Sequence, residues 1–167
     1  MRRALFTALF IIAIADASTF AAQSPELNDL FKRLGDKLRT CQTLGKDLYE
    51  MAKVRAGSAE GERASNLGHA TVDALYVFQE AHLVVFMYSV ITDGRIKAEI
   101  RPILDELLNL LDGRIQLSLN DVNRDLSYVT SAGIAATATR LRDELRDGQF
   151  LLKALKESIP PDHKAEH

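Results

Sequence analysis

The sequence contains one cysteine, no tryptophan and only four prolines in 167 residues. A single thiol cannot form an internal disulfide, which excludes a disulfide-stapled fold, and covalent haem attachment is excluded because Cys-x-x-Cys-His is absent. No window alternates apolar and polar residues as a half-buried strand does. The formal charge is only −2, with both signs interspersed. The chain therefore lacks the basic patch that binding to nucleic acid requires.

The N-terminus has the composition of a secretory signal peptide. Arg2 and Arg3 form a short positive segment, residues 4–15 are apolar, and Ala15-Asp16-Ala17 supplies the small residues that signal peptidase requires. The apolar run is too short to span a bilayer. We therefore expect residues 1–17 to be a signal peptide, and the protein to be secreted into a periplasm or the medium.

Residues 18–159 are predicted to form one helical domain, because apolar residues recur there at three-four spacing. Ser24-Pro25-Glu26 suits a helix N-terminus, and the first helix is predicted over 25–56. Residues 56–66 are small and polar, which is typical of a loop. Ser58 or Ser65 is the candidate cap of the second helix, and Thr92-Asp93-Gly94 offers a glycine for a left-handed cap at its end.

The second half of the chain predicts two more helices. In the third, the apolar pattern begins after Arg95, and Pro102 and Gly113 are two places where it could break. The last helix follows the boundary at residues 127–133, ends at Pro160-Pro161 and leaves residues 160–167 as a disordered tail. An all-α, antiparallel (up-down-up-down) four-helix bundle is the simplest architecture for four long helices with short connections.

The stretch from Leu67 to Ile91 is the most apolar part of the predicted domain. Its apolar residues cover most of the helix circumference, so in water it needs partners on several sides. We expect it to lie deepest in the bundle, flanked by the first and third helices, with Leu75 and Phe78 in the core. An alternative function uses the same stretch, as a helix that inserts into a membrane.

His82 interrupts this apolar stretch and is the first candidate site residue. A buried imidazole needs hydrogen-bond partners, so His82 is either a satisfied core residue or a ligand for a metal or a non-covalent haem. A small hydrophobic ligand held in the bundle core by Phe78, His82 and Tyr88 is the corresponding functional hypothesis. The core interpretation is favoured, and no cofactor is expected.

Two further candidate sites also have plainer structural interpretations. His69 and Asp73 are one helical turn apart and could share a metal ion, but no third ligand is close in sequence, which favours an ordinary solvated face. Cys41 lies on the core-facing side of the first helix, where a buried thiol packs like a small hydrophobe. Its functional alternative is an intermolecular disulfide at a dimer interface.

No enzyme class is indicated by the sequence. There is no Gly-x-Ser-x-Gly turn, no phosphate-binding glycine loop and no metalloprotease spacing. The sequence therefore favours a non-catalytic protein with an interaction or scaffolding role in the cell envelope or outside the cell. Its partner is expected to be another protein or an envelope component. The sequence is also compatible with a homo-oligomer.

Overall fold

The computed structural model describes residues 25–159, which form four α-helices and no strand. The helices are α1 (Pro25–Val54), α2 (Ala59–Val90), α3 (Gly94–Leu126) and α4 (Ala132–Ser158). The prediction of an all-α, four-helix protein is confirmed. The predicted signal peptide, residues 18–24 of the predicted domain and the predicted C-terminal tail lie outside the described residues.

The helices occupy the four corners of a bundle in chain order. Helix α1 packs against α2 and α4, and α3 packs against the same two helices. Short connections at alternate ends make successive helices antiparallel. Helix α2 also contacts α4 across the centre. The apolar α2 is therefore flanked by α1 and α3, as the sequence predicts.

Helices α1 and α2 approach each other most closely, because small residues line their contact. A Cβ atom added at Gly45 of α1 would lie 2.5 Å from Thr71 Oγ1, and one added at Gly68 of α2 would lie 3.2 Å from the Tyr49 ring. A side chain at Gly45 would force Thr71 to shift, and one at Gly68 would press on the Tyr49 ring, so glycine favours the close approach at both points. This close approach explains why α1 and α2 share the most extensive interface of the bundle.

Phe78 fills the centre of the core and is fully buried. Its ring edge rests on the backbone of Gly148 in α4, where an added Cβ atom would lie 2.5 Å from Phe78 Cζ and 3.3 Å from Ile115 Cδ1. The predicted core position of Phe78 is therefore confirmed. Leu75 is only half-buried and packs against the edge of the core.

The helix boundaries agree with the sequence in most places and differ in one. Helix α1 ends at Val54, Gly57 adopts a positive φ of 81° in the turn, and the Ser58 side chain accepts a hydrogen bond from Gly61 N at 3.1 Å. At the next turn Gly94 does not form the left-handed cap that the sequence suggests. It begins α3, because Asp93 Oδ1 accepts hydrogen bonds from Arg95 N and Ile96 N.

Helix α3 is continuous, so neither Pro102 nor Gly113 divides it. Pro102 lies on the exposed side, and a Cβ atom at Gly113 would meet nothing within 4 Å. The inward face of α3 is formed by six buried apolar residues: Leu104, Leu108, Leu111, Ile115, Leu119 and Val122.

Two polar contacts join distant parts of the chain at the two ends of the bundle. At one end Ser158 Oγ donates to Glu26 Oε1 at 2.8 Å. At the other, Glu60 Oε1 accepts from the backbone N–H and the hydroxyl of Thr130, both at 2.8 Å. These hydrogen bonds lower the pKa of Glu60 below its ordinary value. The second contact fixes the α3–α4 connection to the start of α2.

Candidate interaction surface

His82 lies half-buried on the side of α2 that faces α1. Its ring stacks on Phe31 with 3.7 Å between centroids, and a Cβ atom at Gly35 would lie 3.8 Å from its Nε2 atom. Burial lowers the pKa of His82 below its ordinary value, because the charged imidazolium loses hydration. At neutral pH the residue is therefore an uncharged aromatic component of the α1–α2 seam.

The three residues predicted to hold a core ligand have different neighbours. Phe78 rests on Gly148 of α4, whereas His82 stacks on Phe31 of α1. Tyr88 is buried near the α2–α3 turn, and Lys97 Nζ lies 4.6 Å from its ring centroid. Burial also raises the pKa of Tyr88. The three side chains therefore contact three different helices, α4, α1 and α3.

The predicted metal pair lies on the surface of α2. His69 and Asp73 are both exposed, and the His69 ring meets Tyr49 edge-on at 5.9 Å. Among residues 25–159, no three His, Cys, Asp or Glu side chains are grouped so that they could hold a metal ion.

Cys41 is fully buried between α1 and α4. Burial and the neighbouring Glu144 carboxylate raise the pKa of the Cys41 thiol to about 12. Lys37 Nζ lies in the same seam and donates to Glu144 Oε2 at 2.6 Å and to Asp147 Oδ2 at 3.0 Å. A disulfide to another chain would require this seam to open.

The outer surface of α3 has an apolar stripe that the core does not use. Ile96, Ile103, Leu110 and Leu117 are 47%, 64%, 57% and 65% exposed. They follow one another at intervals of seven residues, and we call them the α3 stripe. A seven-residue interval keeps side chains nearly in line along an α-helix, because seven residues complete almost two turns. Contiguous exposed apolar patches mark interaction sites, and the α3 stripe is a candidate for one.

The α3 stripe faces the groove between α3 and α2. Leu108 and Asp112 line the opposite side of α3, next to α4. On α2, Glu80 is two residues from His82 and therefore about 160° around the helix from the α1 side. Because α2 and α3 are antiparallel and the turn between them lies at residues 91–93, residues near Glu80 lie roughly level with Ile103. The exposed Tyr76 lies level with Leu110.

Carboxylates border the α3 stripe on both sides. Asp73 and Glu80 approach it from α2, and Glu99 and Glu106 each follow a stripe residue by three positions on α3. We call these four residues the acidic border. None of them makes an ion pair within the described part of the chain. Three cations lie on or beside this face, namely Arg95, Arg114 and the Lys97 that covers Tyr88, so its net charge is −1.

Helix α2 is long and apolar enough to cross a membrane, by length and composition alone. Only 44% of its most apolar stretch is buried in the bundle. The core helix of a water-soluble protein passes the same test, so the finding fits a core helix as well as a membrane span.

The interaction surface was not identified from the sequence, although its residues follow a visible pattern. Ile96, Ile103 and Leu110 belong to one of two apolar stripes on α3, and periodicity alone does not say which stripe faces inward. The carboxylates beside the stripe that lack ion pairs can be recognised only once the packing of α2 against α3 is known. No family model, no curated protein and no solved structure matches the chain.

Proposed function

We propose that the protein is a non-catalytic interaction protein, exported to the cell envelope or the medium. We propose that it binds an amphipathic helix of another protein along the α3 stripe. The observation that carries the proposal is the seven-residue spacing of four exposed large apolar side chains. Left-handed coiled-coil packing uses two apolar positions in each heptad, and the α3 stripe supplies one of them. The half-buried Ile100 and Leu107, four residues after Ile96 and Ile103, lie at the other.

The acidic border selects the chemistry of the partner. A helix with Lys or Arg beside its apolar seam would pair with Asp73, Glu80, Glu99 and Glu106, whereas an acidic helix would be repelled. A second copy of this chain would bring two acidic borders together. The proposed occupant is therefore a basic amphipathic helix from a different protein.

The magnitudes indicate a weak or moderate affinity. Burying the exposed parts of the four stripe residues is worth roughly 5 kcal/mol in total. Association itself costs about 4–15 kcal/mol in lost freedom. Over most of that range the stripe alone does not suffice, and contacts with Tyr76 and ion pairs with the border supply the rest. Binding should consequently weaken as salt is added.

A synthetic helical peptide tests the site directly. The peptide has leucine at the core heptad positions and lysine at the flanking positions, and its matched version has glutamate in place of lysine. We expect the lysine peptide to bind, and the glutamate peptide to bind about tenfold more weakly or worse. The double variant Ile103→Gln/Leu110→Gln should weaken binding of the lysine peptide by about tenfold or more.

The control variant is Phe150→Gln, which changes an equally exposed apolar residue on α4 and should bind the lysine peptide as the wild type does. Equal binding by wild type and the stripe double variant would refute the proposal. Self-association that the double variant abolishes would instead assign the stripe to a second copy. Liposome binding that it abolishes would assign the stripe to a membrane.

Export is a separate part of the proposal and has its own test. When the full chain is produced in a secreting host, the exported protein should have the intact mass of a chain that begins at Ser18. A second, weaker cleavage point lies near Ala21. Retention of the uncleaved chain inside the cell would refute export and leave the interaction site to be tested by the peptide.

A further inference from the structure

A cleft of about 540 Å³ runs between α3 and α4, on the side of α3 away from the α3 stripe. Its floor is apolar and includes Leu108 and Leu152, and its wall is the Phe150 ring, which is 71% exposed. Cavities that bind small molecules usually measure about 300–1,000 Å³ and are mainly apolar with a few polar groups. The cleft falls within this class by size and by its apolar floor, and six of its nine lining residues are polar or charged.

The charged groups of the cleft are mostly cations. Arg146, Lys153 and Lys156 line it from α4, and Asp112 is its one carboxylate. The site is therefore locally positive by two charges, although the chain as a whole has a net charge of −2. A positively charged cleft raises the local concentration of anions, even on a protein whose net charge is negative.

The contacts of the charged side chains in the cleft leave some of the positive charge without a neutralising carboxylate. Asp112 Oδ1 accepts from Gln149 Nε2 at 3.5 Å, and Lys156 Nζ donates to the neutral Asn109 Oδ1 at 2.7 Å. Arg146 Nη1 lies 3.9 Å from Asp143 Oδ1, and both side chains are exposed, so this ion pair is weak. Lys153 makes no ion pair or hydrogen bond within residues 25–159. Two ammonium groups, those of Lys153 and Lys156, are thus not neutralised by any described carboxylate.

From this arrangement we infer that the cleft binds the anion of a fatty acid. The alkyl chain lies along Leu108, Leu152 and the Phe150 ring, and the carboxylate is held by Lys153 and Lys156. Neither the stripe nor its acidic border takes part, so this inference does not rest on the proposed function.

Octanoate and 1-octanol are matched probes, because they share an alkyl chain and differ in the charge of the head. Amide chemical shifts of the full chain are followed by NMR while each probe is added. We expect octanoate to shift the resonances of the cleft residues, and 1-octanol to bind about tenfold more weakly or worse. Decanoate, with two more methylenes, should bind about tenfold more tightly than octanoate.

The double variant Lys153→Gln/Lys156→Gln should weaken octanoate binding by about tenfold or more. Its matched control is Lys32→Gln/Lys46→Gln, which removes the same charge from exposed positions of α1 and should leave binding unchanged. Phe150→Ala should weaken both probes. The stripe variant Ile103→Gln/Leu110→Gln should bind octanoate like the wild type, so that this result is independent of the peptide test.

Three results would overturn the inference. The first is equal affinity for octanoate and 1-octanol, since the cations would then contribute nothing. The second is equal loss in the two lysine double variants, which would indicate an effect of total charge. The third is a set of shifted resonances that lies outside α3 and α4.

Discussion

The contact between Phe78 and Gly148 allows the packing of the bundle to be tested quantitatively. Gly148→Ala places a methyl group 2.5 Å from Phe78 Cζ, in a region where both neighbours are buried. Overpacking of a core costs about 1–3 kcal/mol, and the upper part of that range applies here because an aromatic ring cannot bend aside. Alanine regains up to about 1 kcal/mol of helix propensity. We therefore expect a net destabilisation of about 2 kcal/mol.

Gly113→Ala is the matched control for this substitution. It lies within α3, and its added Cβ atom meets nothing within 4 Å. Only the propensity gain remains, so this variant should be stabilised by about 0.5–1 kcal/mol. The two glycine variants should therefore differ in free energy of unfolding by roughly 3 kcal/mol, with opposite signs relative to the wild type.

A double-mutant cycle with Phe78→Leu isolates the contact itself. Leucine lacks the ring edge that the new methyl group would strike, so Gly148→Ala should cost about 1–2 kcal/mol less in that background. Urea unfolding followed by the helical circular dichroism signal measures all five proteins, because the chain has no tryptophan to report by fluorescence. If Gly148→Ala stabilised the protein as much as Gly113→Ala, the placement of α4 on Phe78 would be wrong.

Three further predictions concern titratable groups. Because burial lowers the pKa of His82, the free energy of unfolding should fall as the pH drops below about 6.5 and level off below the lower folded-state pKa. His82→Gln should reduce this slope in urea melts. Cys41, with a thiol pKa of about 12, should not react with an aromatic disulfide reagent at pH 8 until urea unfolds the chain, and rapid native labelling would contradict its burial. Burial alone would lower the pKa of Lys37, but its hydrogen bonds to Glu144 and Asp147 raise the pKa overall. The stability that these bonds contribute is therefore present below pH 10.5 and is lost above the folded-state pKa. Lys37→Met should lower the free energy of unfolding by about 1–2 kcal/mol at pH 7 and should flatten the alkaline end of the curve of stability against pH.

Much of the fold was predictable because local patterns and global packing agree. Three-four spacing identified the helices, and polar connections such as the one at Gly57 and Ser58 divided them. The sequence could place α2 deepest in the bundle, because its apolar residues cover most of the helix circumference. The cap at Asp93 was missed, since a glycine after an aspartate suits both a helix end and a helix start.

The candidate sites were less predictable, because they depend on which helix faces which. Helix α3 carries two apolar stripes, and only pairing with α2 and α4 shows that Leu104 and Leu111 point inward while Ile103 and Leu110 point outward. The cleft combines residues separated by more than thirty positions in sequence. His82 stood out in the sequence as a polar residue in an apolar stretch, yet its stacking partner Phe31 lies on another helix.

The hydrogen bond from Ser158 to Glu26 brings the beginning of α1 and the end of α4 to the same pole of the bundle. A short linker joining these two points would therefore leave the helices undisturbed, and the chain could be opened elsewhere to give a circular permutant. The exposed tip at residues 92–93 is the natural place to cut, since the other pole depends on Glu60 holding Thr130. In such a permutant α4 and α1 would form a hairpin. The same packing of four helices would then arise from a different order of the helices along the chain.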